Sequence, residues 1–119
     1  VILIATGSEV EIALGAAEQL EARGIGADVV SMPCTERFDA QPQEYRDAVL
    51  PDDPALLRVS IEAGTTFGWE RYTGVNGIRL GIDRFGVSAP PKDAYEFFGL
   101  TPDAVAARVL ERVKQREMA

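Results

Sequence analysis

A chain of 119 residues is long enough to bury one core and too short for two domains. Apolar residues at 46% and charged residues at 26% suit a soluble globular protein and exclude a disordered one, and no run approaches the ~20 apolar residues of a membrane span. The net charge of −7 argues against nucleic acid as a partner, and the single Cys34 excludes an internal disulfide framework and suits a reducing cytoplasm.

In chain order, Val1 to Ala5 is a continuous apolar run, as expected of a strand covered on both faces. The chain begins inside that run without Met, which reads as excision from a longer polypeptide. Thr6-Gly7 predicts a turn, and Ser8 with Glu11 has capping-box spacing at the start of a helix. Val10, Ala13, Leu14, Ala17 and Leu20 predict its apolar stripe, and Gly24 with Ile25 predicts a Schellman end. Ala27 to Met32 reads as a second buried strand. A loop follows, then a short helix from about Pro42 to Leu50, with Pro42 in the first turn and Tyr45, Ala48 and Val49 on one face. Leu56 to Ile61 predicts a third strand, and residues near Phe67 to Tyr72 a short aromatic helix. Ile78, Leu80 and Ile82 alternate with polar or small residues, as on an edge strand. Thr101 caps the last helix with Pro102 at its first position; Leu100 and Val105 are spaced as a hydrophobic staple. The rhythm predicts a three-layer α/β/α fold with a mostly parallel, doubly wound sheet of order 2-1-3-4.

The chain contains no His, which removes the commonest general base and the commonest metal ligand together. Three loops remain as candidates. Gly7 and Ser8 sit where helix amides can hold an anion, although a lone Gly without Lys is no phosphate loop, and the capping box is the plainer explanation. Glu62 lies at the carboxyl end of the third strand, across the topological switch point from that first loop. Its carboxylate suits either a ligand or a structural contact. Arg79 and Arg84 can clamp a phosphate or pair with Asp83 and Asp93. Trp69 and Tyr72, with Phe85, suit either core packing or an interface anchor.

Beyond these residues, Ile4 to Val10 (Ile-Ala-Thr-Gly-Ser-Glu-Val) resembles the opening of the C-terminal domain of bacterial transketolases. The resemblance continues through Val29 to Pro33, Phe38-Asp39, Tyr45-Arg46, Val49-Leu50-Pro51, Glu62-Ala63-Gly64, Trp69, Tyr72, Gly74 and Asn76-Gly77. It closes with Phe85-Gly86, Ser88-Ala89-Pro90 and Phe98 to Thr101, so it spans nearly the whole chain. It implies a structural and assembly domain, itself without cofactor, metal or catalytic residues. The implied parent is a cytoplasmic, homodimeric enzyme that uses thiamine diphosphate with Mg²⁺ or Ca²⁺, held by its other domains. That enzyme moves a two-carbon ketol unit between sugar phosphates in the pentose phosphate pathway. Two other readings stand beside it. One is a small-anion or regulatory binding module; the other is the same domain from another thiamine-diphosphate enzyme.

Overall fold

The computed structural model describes residues 1–63, 66–81, 95 and 99–118. Its strands are β1 (Ile2–Ala5), β2 (Asp28–Ser31), β3 (Arg58–Glu62) and β4 (Ile78–Gly81). They form a parallel sheet of order β2-β1-β3-β4, with Ile2 paired to both Asp28 and Arg58. The helices are α1 (Glu9–Ala22), α2 (Thr35–Asp39), α3 (Gln43–Val49), α4 (Glu70–Thr73) and α5 (Pro102–Met118).

Period-two alternation in β1 divides the interior between the two faces of the sheet. Leu3 and Ala5 join Val59, Ile61, Ala13, Leu20, Leu100 and Val109 in a core beneath α1 and α5. Ile2 and Ile4 point the other way, into a smaller core with Met32, Leu50, Trp69 and Tyr72. Helices therefore cover both faces, giving the three expected layers.

The close fit of α1 on α5 follows from small side chains. Ala13, Ala16 and Ala17 are buried, and a Cβ added at Gly15 would meet Pro102 Cβ and Cγ at 2.9 Å. The end of α1 forms as its sequence predicts: Gly24 has φ +80°, and the amides of Ile25 and Gly24 donate to Leu20 O and Glu21 O. At the start of α5, the Ala104 amide donates to Thr101 Oγ1 at 3.2 Å, and Leu100 and Val105 are both buried.

Several expectations are corrected. Leu14 is 55% exposed, because the helix turns Ala16 rather than Leu14 toward α5. Ser8 occupies the cap position but makes no side-chain cap hydrogen bond; its backbone is already helical, which aims its hydroxyl away from the free amides. The second strand is an edge of the described sheet rather than a covered one, with Asp28 and Ser31 exposed. The loop after it contains α2, and Pro42 is the cap of α3 rather than its first residue. Tyr45 and Ala48 are exposed, so α3 contributes only Val49, with the adjoining Leu50, to the smaller core. The aromatic helix is shorter than expected and begins at Glu70. Ile82 lies outside the described residues.

The corrected stripe gives a direct contrast in stability. Leu20→Ala is expected to cost about 3 kcal/mol in urea unfolding, because it empties a fully buried site. Leu14→Ala is expected to change stability by less than about 0.5 kcal/mol.

Candidate functional site

Open parallel sheets place ligands beyond the carboxyl ends of their strands, where neighbouring crossovers diverge. Here that point lies between β1 and β3. A groove of about 490 Å³ opens there, with Thr6, Cys34, Glu36, Glu62, Trp69 and Arg71 among its walls. The pairing of Ala5 with Ile61 brings the loops that follow β1 and β3 together, and the Thr6 hydroxyl donates to Glu62 Oε2.

Gly7 has φ +51°, a left-handed turn that only glycine adopts without strain, and it delivers the chain into α1. The amino end of that helix receives an internal anion. Glu9 is 5% exposed, and its Oε1 accepts hydrogen bonds from the Tyr95 hydroxyl at 3.2 Å and the Ser8 hydroxyl at 3.4 Å. The positive end of the helix dipole thus faces the protein's own carboxylate. Ser8 is engaged with Glu9 instead of capping.

Arg79 is turned to backbone work, donating to Gly74 O at 2.9 Å and Thr73 Oγ1 at 3.2 Å. Arg84 and Phe85 lie outside the described residues. Trp69 and Tyr72 pack into the smaller core, with ring centroids 5.4 Å apart. The interface role that the sequence left open for them meets side chains already 92% and 96% covered within this chain, since only 8% and 4% remain exposed.

Arg58 and Asp39 do structural work that neither spacing nor residue type announces, while Glu9 is the acid expected in the first turn of α1. Arg58 opens β3 and donates to Tyr72 O at 3.0 Å, Leu50 O at 3.1 Å and Pro51 O at 2.6 Å. It thereby ties the ends of α3 and α4 to the sheet. Glu9 fills the helix terminus. Asp39 accepts from the Tyr72 hydroxyl at 3.0 and 3.1 Å and pairs with Arg71 at 2.8 Å, while the Arg71 guanidinium lies 4.9 Å from the centre of the Tyr72 ring. The partners of Arg58 and Asp39 lie many residues away, at 7 to 14 and 33 positions, which is why spacing does not mark them.

Burial pushes the Tyr72 phenol above its ordinary pKa, and the hydrogen bond to Asp39 and its charge add to this; Arg71 and Thr35 oppose it. Among the described residues, the lining of the groove does not suit a metal–diphosphate group. Glu36 and Glu62 present acceptor oxygens that repel phosphate, and the cation on its wall, Arg71, is paired with Asp39. Among the described residues, no group of three or more His, Cys, Asp or Glu is arranged to hold a metal ion.

The layered parallel sheet, with its switch-point groove, places the chain among three-layer α/β/α domains. The sequence profile described as "Transketolase-like TK C-terminal domain" matches residues 1–101, and the chain belongs to that family. Its relatives include the chromosomal transketolase of Cupriavidus necator, 60% identical over 112 residues that make up 92% of this chain and 16% of that one. The chloroplastic transketolase of Solanum tuberosum is 52% identical over 90% of this chain and 14% of its own length. Among solved structures, a Pichia stipitis transketolase in complex with sedoheptulose 7-phosphate superposes with a TM-score of 0.83. It is 40% identical and aligns over 98% of this chain and 16% of that one. A Leishmania mexicana transketolase gives a TM-score of 0.81 at 43% identity, over 96% of this chain and 16% of its own. The chain spans about one sixth of the length of these relatives.

The raised Tyr72 pKa favours the folded state below the ordinary tyrosine value of about 10 and is lost as pH rises through the folded value. Stability measured by urea unfolding is therefore expected to fall more steeply above about pH 10 in the native chain than in Tyr72→Phe. Equal slopes would remove Tyr72 from that role.

Proposed function

We propose that this chain is the C-terminal structural and assembly domain of a transketolase, part of a longer polypeptide. The parent enzyme transfers a two-carbon ketol unit from a ketose phosphate to an aldose phosphate in the pentose phosphate pathway. It works as a cytoplasmic homodimer, and its other domains hold thiamine diphosphate and Mg²⁺ or Ca²⁺. The observation that carries this reading is identity of 60% spread over nearly the whole chain but confined to 16% of the Cupriavidus necator enzyme.

The side-chain chemistry supports a role without turnover. The chain has no His to move a proton, and Glu9 accepts hydrogen bonds from Ser8 and Tyr95. Glu62 accepts one from Thr6, and Arg58 and Arg79 bind carbonyl oxygens. The acids on the switch-point groove, Glu36 and Glu62, support a reading in which the cofactor and the steps of the transfer belong to the other domains. Its contribution is a rigid, acidic body for the remaining domains to pack against.

The reading is tested in two arms. The purified 119 residues are expected to give no ketol transfer from a ketose phosphate and no saturable binding of thiamine diphosphate. Replacing the matching segment of the Cupriavidus necator enzyme with this chain is expected to keep kcat/KM within about tenfold. Transfer by the chain alone, or a dimeric chimera that no longer turns over, would overturn it.

A further inference from the structure

Met32 and Leu50 are both buried, but no residue from 33 to 49 is. The segment is largely bonded to itself. Phe38 N–H donates to Cys34 O at the start of α2 and Arg46 N–H to Pro42 O at the start of α3. The Arg46 guanidinium reaches Gln41 O between them, and the Phe38 and Tyr45 rings, centroids 6.5 Å apart, join the two helices. Local opening is easiest where apolar burial is least, so α2 and α3 form the part of the described chain with the least to hold it closed.

What does hold it closed meets at one place. Thr35, Phe38 and Asp39 share a face of α2, at spacings of three and four residues, and all engage Tyr72. Asp39 accepts from its hydroxyl and pairs with Arg71, Phe38 meets its ring edge-on at 5.9 Å, and Thr35 opposes the rise in its pKa. The backbone from Met32 to Cys34, just before α2, separates two grooves. On one side is the switch-point groove of about 490 Å³. On the other is a groove of about 420 Å³ that includes Val30, Phe38, Tyr45 and Val49.

We propose that α2 and α3 are a latched flap. They open as one unit between fixed ends at Pro33 and Pro51, released at Asp39, and opening joins the two grooves and exposes Trp69 and Tyr72. Arg58, which binds Leu50 O and Pro51 O, holds the far end in place while the near end swings. The inference rests on the packing of this chain alone and stands independently of the enzyme to which the domain belongs.

Hydrogen exchange followed by peptide mass spectrometry on the 119-residue chain tests it, with Asp39→Asn and Tyr72→Phe as the variants. Peptides covering 33–49 are expected to exchange together and faster than those of β1 and β3. Each variant is expected to speed them by about tenfold, as loss of a hydrogen bond to a charged group would, with β1 and β3 unchanged. Faster exchange in α2 without α3, an equal rise in β1 and β3, or no change in either variant would overturn the proposal.

Discussion

The parallel pairing of β1 with β3, Ile2 against Arg58 through to Ala5 against Ile61, sets the terms for everything else in the structure. Because β1 is central, its alternate residues must feed separate cores, so helices are needed on both faces. Because β2 and β3 flank it on opposite sides, the crossovers diverge at their carboxyl ends and a groove opens there. The same register carries Thr6 to Glu62. In many folds of this kind such a groove receives a phosphate. Here, among the described residues, acids take those places: Glu9 stands at the amino end of α1 and Glu62 at the end of β3.

This placement of acids makes chemical sense of the family membership. If, as proposed, cofactor and substrate lie in other parts of a larger enzyme, this domain has no use for an open anion site. It does need its buried acids satisfied and its helix ends fixed. Ser8, Tyr95 and Thr6 supply hydroxyl donors for that purpose, and Arg58 and Arg79 bind carbonyl oxygens at the opposite, amino-terminal side of the sheet. Charge is thus spent on rigidity at both ends of the strands, apart from α2 and α3, where the hold depends on a few side chains around Tyr72.

Much of this was legible in the sequence because it is local. The Schellman end at Gly24 and Ile25, the Thr101 cap and the strand order all follow from short-range spacing or from the handedness of crossovers. The misplaced features depend on contacts distant in sequence. Leu14 fits a helical stripe, but where α5 lands decides that Ala16 is covered instead. The strand at 28–31 reads as buried from its valines, yet its outer neighbour within the described residues is absent. Ser8 satisfies a capping pattern, but the buried carboxylate of the next residue draws its hydroxyl away. The contacts of Arg58 and Asp39 were hidden for the same reason, since their acceptors and donors come from loops and helices that only folding brings near.

The switch-point groove carries the protein's own carboxylates, Glu36 and Glu62, on its walls, and these disfavour phosphate there. Trp69, the one tryptophan, is on its wall and reports occupancy directly. Titrating the 119-residue chain with inorganic diphosphate while following tryptophan fluorescence is expected to give no saturable change up to about 10 mM, the range of very weak binding. A saturable change with a midpoint below about 1 mM, abolished by Thr6→Ala or Trp69→Phe in a parallel calorimetric titration, would contradict it.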